Sequence, residues 1–368
     1  MATLAIFIDS LPHNLSIKLT EKIDSNFKTE KITSGAGFSN NIYAEIVTGL
    51  NPDQIGYFNE WKLKKIINKP PLIHRILSLF DFLRKFIYLN AGFRRIILRR
   101  IFKFESFNIP FRYLHYFSGN GSHNFRDIGH GNILQKHGFE IFDAAEVNKN
   151  VGLRDIEVIN NLDKVIANKN TLLSLVDLDN IAHIYGMNSN QYIDHLDFIS
   201  SKLKVLVQKF QKLSPGNKII LFSDHGMVPV SRGIYFELES IFGNMSKLSY
   251  MYFVDSTYVR IWVKSNLLKN EIENYLSDLD YGKIIETKER EEFGITNLEF
   301  GDIIFRADEG IMFAPNFFGA RVCKAMHGYD PKLISQSAFC SYCNNVEKIK
   351  TVELNSTVDI HTLLEQVL

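Results

Sequence analysis

The chain has 368 residues, of which 45% are hydrophobic and 23% charged, so global disorder and fibrous repeats are excluded and one large or two ordinary domains fit. Its net charge of +1 hides an uneven map: residues 61–105 hold twelve Lys or Arg against two Asp or Glu, on an otherwise acidic chain. Three cysteines are too few for a disulfide framework or a four-cysteine zinc site, and Cys340-x-x-Cys343 follows no βαβ pattern, so it reads as structural or incidental.

The opening MATLAIFIDS lacks a basic region and has only a short apolar run. It predicts a buried first strand ending at Asp9 rather than a signal peptide. Gly35-Ala-Gly-Phe-Ser39 permits a tight turn, with a helix over residues 40–48 starting just after Ser39. Residues 61–120 break the pattern with two or three basic amphipathic helices and an aromatic-rich stretch. Gly119–Gly121 and Gly129–Gly131 mark loops before strand and helix alternation resumes. Leu172 to Val176 then leads to Asp177 and Asp179, and a helical pattern covers residues 190–211. Ile219 to Phe222 leads to Asp224 and His225. Shorter strands (YVRIWV, DIIFRA, GIMFAP) and one helix near 265–278 follow, and the C-terminal part is expected to fold back onto the core. Together these elements predict an α/β fold with a mainly parallel central sheet and helices on both faces. Residues 1–60 and 131–368 form the core, and 61–130 form a basic helical insertion. No run of 18 uncharged apolar residues occurs, and the expected location is cytoplasmic, with peripheral attachment through the basic segment.

In open α/β sheets the ligand sits beyond the carboxyl ends of the strands, where three strands here offer carboxylates. Asp179-Asn-Ile-Ala-His183 can turn a carboxylate and an imidazole to one cation. Asp224-His225 leaves another strand end, where Gly226 is expected to free the backbone to turn, and Met326-His327-Gly328 places a third histidine in a loop. Singly, each is as compatible with a surface pair or a cap. Together they supply three Asp and three His, enough for two metals of about three protein ligands each. Ser39 is either an N-cap or a nucleophile. At a helix N-terminus beside a dication its hydroxyl can ionise, and the N–H groups of Asn40 and Asn41 could hold a phosphate oxygen. Beside the metal constellation, the nucleophile reading prevails.

These motifs, in this order, resemble the alkaline phosphatase superfamily, and most closely its nucleotide pyrophosphatase/phosphodiesterase branch. The match comprises Asp9, Ser39 before Ile46-Val-Thr-Gly-Leu-Asn-Pro52, Asp179/His183, Asp224/His225 and His327, over residues 4 to about 331 with 61–130 outside it. The resemblance implies an alkaline phosphatase-like fold and two zinc ions, one held by Asp179, His183 and His327. The other would be held by Asp9, Asp224 and His225, with Ser39 bound to it as nucleophile. Asn59, or alternatively Asn41, would help hold the phosphoryl oxygen. The implied activity is phosphodiester or pyrophosphate hydrolysis through a phosphoseryl intermediate, on a nucleotide-type or lipid-linked small molecule. The chain departs from the usual family pattern in having Ser followed by Asn at the nucleophile, and Ile55 before Gly56 where a His is common. It lacks the C/S-x-P-x-R of a sulfatase. Phosphomonoesterase, phosphonate hydrolase and phosphotransferase activities of the same superfamily remain alternatives.

Two readings from other classes compete. Asp177-Leu-Asp179 is a D-x-D that could hold one Mn or Mg in a glycosyltransferase, but this leaves His183, Asp224, His225 and His327 without a role. A non-catalytic membrane-surface protein would use residues 61–105, whose Lys and Arg interleave with Ile, Leu and Phe as in interfacial helices. It does not account for the six ligands. The same segment could equally be a lid packed by its apolar face.

Overall fold

The computed structural model describes residues 1–65, 69–85, 96, 108–119, 128, 131–147, 153–162 and 169–368. They fall into two compact units: Met1–Ile55, Ser122–Pro229 and Lys324–Leu368 form the first, and Gly56–Gly121 with Val230–Cys323 form the second.

In the first unit the main elements are strands β1 (Thr3–Ile8), β2 (Lys28–Ile32), β3 (Glu140–Asp143), β4 (Thr171–Leu175), β5 (Lys218–Phe222) and β6 (Ala338–Tyr342). The helices are α1 (His13–Ile23), α2 (Ser39–Thr48), α3 (Arg154–Leu162), α4 (Asp177–Tyr185), α5 (Asn190–Leu213) and α6 (Thr357–Val367). The sheet order is β2-β6-β5-β1-β4-β3. Strands β3, β4, β1 and β5 run parallel, while β6 lies antiparallel to both β5 and β2. Every residue of β1 is buried, as expected of a strand covered by helices on both faces of a parallel sheet. Helix α5 matches the 190–211 pattern. Ser189 caps it by accepting from Tyr192 N–H at 3.2 Å, and Tyr192, Ile199, Leu203, Leu206 and Phe210 bury one stripe. The C-terminal part does return to the core, since β6 sits between β2 and β5 and α6 packs on α2. This topology places the carboxyl ends of β4, β1 and β5 side by side.

Asp177 and Asp179 follow β4 and occupy the first turn of α4. One local expectation needs revision. Gly226 has an ordinary backbone conformation; it is small because a Cβ there would lie 2.0 Å from the Ser335 carbonyl oxygen. The glycine requirement is close approach of two backbones, not a turn.

In the second unit an antiparallel sheet runs in the order Tyr250–Val254, Tyr258–Val263, Ile303–Ala307, Gly282–Ile284. An antiparallel pair of short strands, Trp61–Leu63 and Phe117–Gly119, brings Trp61 and Phe117 against Phe253. Residues 230–323 therefore group with the described part of 56–121, whereas the sequence division assigned them to the core. Within the basic segment a short helix, Leu72–Ser78, is described, but Arg94, Arg95, Arg99 and Arg100 lie outside the described residues.

A buried ion pair organises this unit. Arg260 Nε donates to Asp255 Oδ2 at 3.1 Å, and the guanidinium lies 4.9 Å from the Phe253 ring centre. Asn59 joins it, donating to Asp255 Oδ1 at 3.0 Å and accepting from Trp61 N–H at 2.9 Å. Burial pushes the Asp255 carboxyl up to about 6 even beside Arg260. Asp255→Ala strands the Arg260 cation in the interior, so a loss of about 3–5 kcal/mol is expected in chemical denaturation. An unchanged unfolding midpoint would show that the pair does not hold this sheet.

Candidate active site and metal centre

Ser39 is the first residue of α2; Phe38, in extended conformation, holds the N-cap position. The hydroxyl is therefore not a cap, and it turns toward the strand ends instead. Ser39 Oγ lies 2.9 Å from His225 Nε2 and 3.5 Å from Asp9 Oδ1. The preceding loop reaches this position through Gly37, whose φ of 108° suits only glycine. Asn41 fixes the loop from behind, accepting from Phe38 N–H at 2.9 Å and donating to Ala36 O at 2.7 Å. Its own N–H donates to Phe38 O at 3.1 Å, so neither its side chain nor its amide is held open for a phosphate oxygen. Asn59 is placed in the second unit with its amide engaged by Asp255 and Trp61.

The remaining residues gather in two groups. Ligand atoms of Asp9, Asp224 and His225 lie within 4.8 Å of one another, as do those of Asp179, His183 and His327. In the first group Asp9 follows β1, and Asp224-His225 follow β5. In the second, Asp179 and His183 sit one turn apart on α4, and His327 comes from the loop before Gly328, whose φ is 79°. The His225 and His327 rings stack between the groups with centres 3.8 Å apart. His183 Nδ1 lies 2.8 Å from Ala325 O, and His225 Nδ1 lies 2.9 Å from Gly226 O. These carbonyls fix Nδ1 as the donor and leave Nε2 as the lone-pair face toward the carboxylates.

Charge accounting tests whether cations fit. Asp179 Oδ1 and Asp224 Oδ2 are buried oxygens without a hydrogen bond. Imidazole Nε2 atoms lie near them: His183 at 3.3 Å and His327 at 3.7 Å for Asp179, and His225 at 3.1 Å for Asp224. Burial, then Asp224 and Asp179, push the Asp9 carboxyl well above the usual carboxylate range. Burial, then His225, hold the His327 imidazole well below its ordinary value. Asp9 thus resists ionisation and His327 resists protonation, whereas, against burial, His183 and His327 hold the Asp179 carboxyl below the usual carboxylate range and Asp224 raises the His225 imidazole. Buried carboxylates and imidazoles converging in this way are donors of the kind a divalent metal takes, and its charge would offset the burial penalty on Asp9. Oxygen and nitrogen donors in groups of three suit zinc.

A sequence model of the type I phosphodiesterase / nucleotide pyrophosphatase family matches residues 145–330. The chain belongs to this family. No curated protein matches it. Among solved structures, human ectonucleotide pyrophosphatase / phosphodiesterase 5 superposes with a TM-score of 0.61 at 19% identity, covering 99% of this chain and 94% of that one. The inactive murine form in complex with AMP gives 0.58 at 18%, covering 100% and 94%. Phosphonoacetate hydrolase from Sinorhizobium meliloti 1021, in complex with phosphonoformate, gives 0.59 at 14%, covering 100% and 96%. The fold is thus that of the phosphodiesterase family and its phosphonate-hydrolysing neighbour.

Within this family fold the D-x-D reading fails on geometry. The Asp177 oxygens accept from Arg154 Nε at 3.0 Å and Asp155 N–H at 2.8 Å, and they do not share a group with Asp179. Sequence reading also overlooked two residues. Tyr43 donates to Asp9 Oδ2 at 2.6 Å and orients it; the available signal was its place four residues after Ser39, on the same helix face. Glu45, also on α2, is buried beneath Gly35, where a Cβ would lie 2.4 Å from its Oε2. It accepts from Thr357 Oγ1 of α6 at 2.7 Å, and burial raises its carboxyl from 4.5 to about 8.

Glu45 makes stability depend on pH. The folded carboxyl keeps its proton up to about 8, while the unfolded one ionises near 4.5, so stability declines as pH rises between these values. Glu45→Gln removes that decline. Relative to the wild type, its free energy of unfolding should gain steadily from pH 4.5 to 8, by on the order of a few kcal/mol, as read by chemical denaturation at each pH. Parallel curves for the two proteins would place the Glu45 titration elsewhere.

Proposed function

We propose that this protein is a two-zinc phosphodiesterase or nucleotide pyrophosphatase acting through a phosphoseryl intermediate on Ser39. The observation that carries the reading is the Ser39 hydroxyl, at a helix N-terminus, 2.9 Å from His225 and 3.5 Å from Asp9, beside two Asp/His groups with unsatisfied oxygens. Asp9, Asp224 and His225 would hold one zinc and Asp179, His183 and His327 the other. When bound, the two ions neutralise the phosphoryl oxygens and acidify the attacking hydroxyl and water. Ser39 Oγ forms a bond to phosphorus as the bond to the leaving alcohol or nucleoside monophosphate breaks, and the leaving oxygen takes a proton. Water then attacks the phosphoserine, the Oγ–P bond breaks and Ser39 recovers its proton. Tyr43 keeps Asp9 aimed during both steps, and Asn41 keeps the Ser39 loop closed.

Ser39→Ala should cut turnover of a nitrophenyl phosphodiester by about a thousandfold or more while the metal content stays at the wild-type level. Near-wild-type activity in that variant would refute the nucleophile assignment. Diesters should be preferred over the corresponding monoester. A monoester preference would move the protein to the phosphomonoesterases, and hydrolysis of a phosphonate alone would favour the activity of its structural neighbour.

The basic segment supports a second, compatible element, a docking surface for anionic lipid that would hold a cytoplasmic protein peripherally at a membrane. Leu72, Ile76, Leu79 and Phe82 are 72%, 49%, 73% and 60% exposed, with Arg75 among them. Among the described residues no helix is long and apolar enough to cross a membrane. Each basic residue near an anionic leaflet contributes about 1 kcal/mol, so half of the twelve would suffice for reversible binding. Co-sedimentation with anionic vesicles at low salt is expected, and none with neutral ones. Equal recovery with both would leave the segment as a lid.

A further inference from the structure

Helix α4 carries two of the proposed ligands, yet its N-cap is Val176, which has no side-chain acceptor for the open N–H groups of the first turn. Asp155, 21 residues earlier, supplies one from the first turn of α3. Its Oδ1 accepts from Val176 N–H at 2.8 Å, and its two oxygens lie 3.3 and 3.2 Å from Asp177 N. Asp177 returns the service, accepting from Asp155 N–H at 2.8 Å and from Arg154 Nε at 3.0 Å. Two helix N-termini thus cap each other with exchanged carboxylates. From α5, His195 Nε2 lies 2.9 Å from Asp155 Oδ2 and locks that carboxylate in place. Asp155 is fully buried, and Asp177, His195 and Arg154 are less than a tenth exposed.

Asp155, Asp177 and His195 also have ligand atoms within 4.8 Å of one another, as a metal site would. Their hydrogen bonds argue against one. All four carboxylate oxygens accept from a donor, the imidazole Nε2 is engaged, and Arg154 already supplies a cation. A divalent ion would have to break bonds that the helix ends need. The cluster behaves as a saturated support, not a vacant chelate.

We propose that His195 is a positioning residue, which through Asp155 fixes the first turn of α4 and so keeps Asp179 and His183 aimed at the cation they would share with His327. The proposal rests on reading Asp179, His183 and His327 as a metal site. Outer partners of metal ligands typically change affinity by about 10–100-fold when removed. The effect should be confined to the group on α4, because Asp9 and Asp224-His225 leave other strands.

The test is site-resolved zinc affinity of the full chain by chelator competition, with Asp179→Ala and Asp224→Ala assigning the two binding steps. His195→Leu should weaken the Asp179-dependent step by about 10–100-fold and leave the Asp224-dependent step unchanged. His195→Gln, which can still donate to Asp155, should restore most of the loss. Should His195→Leu fail to fold, Asp155→Asn is expected to give the same selective loss. Unchanged affinity in a folded variant, or equal weakening of both steps alongside a lower melting temperature, overturns the positioning role. If the wild-type chain has no Asp179-dependent step, the metal reading itself fails and takes this proposal with it.

Discussion

Three adjacent parallel strands, β4, β1 and β5, end side by side, and each delivers a carboxylate to one buried region. Like charges brought together away from water repel strongly, and burial alone already raises Asp9 before Asp224 and Asp179 add to it. Left to relax, such groups would rotate apart or admit solvent. The surroundings prevent this. Tyr43 holds one Asp9 oxygen, and Ser10 N–H donates to Asp224 Oδ1 at 3.1 Å from a residue with φ of 58°, a conformation that non-glycine residues adopt only when the surroundings enforce it. Backbone carbonyls hold two of the imidazoles. The fold therefore stores an electrostatic demand that cations can meet.

Helix α2, which begins at Ser39, is set by a second constraint. Gly37 lets the loop turn, and Asn41 closes it onto Phe38 and Ala36. Below it Glu45 fills the space that Gly35 leaves, and Thr357 of α6 donates to that carboxyl. A contact far along the chain thus supports the turn that presents Ser39. Had Ser39 been the N-cap, its oxygen would have been spent on the helix's own N–H groups. One position of helix phase separates a structural serine from one facing the Asp9 carboxylate and the His225 imidazole.

The central strands and the Asp/His motifs were legible in the sequence because both announce themselves locally: apolar runs of strand length, each followed within a few residues by a ligand type. What was not legible depends on distant partners. Gly226 has its reason in the Ser335 carbonyl, and Asn59 is engaged by Asp255. Tyr43 becomes meaningful only once the phase of α2 is known. The grouping of 230–323 with 56–121 follows from aromatic packing of Trp61 and Phe117 on Phe253, which no local pattern encodes.

Proximity alone does not distinguish a ligand set from a support. Among the described residues three groups of two carboxylate–imidazole types come within 4.8 Å: Asp9 with Asp224 and His225, Asp179 with His183 and His327, and Asp155 with Asp177 and His195. The third is the most thoroughly hydrogen-bonded, with a guanidinium and three backbone N–H groups converging on its oxygens. In the first two, buried oxygens of Asp224 and Asp179 find no donor. A buried polar atom without a partner is costly enough that a folded chain retains it only where something else completes it. The unsatisfied oxygens thus point to ion binding, and the satisfied ones to helix capping. Since Asp177 and Asp179 share one turn of α4, two residues suffice to join the support to the site: one carboxylate holds the helix end, and the other joins His183 and His327.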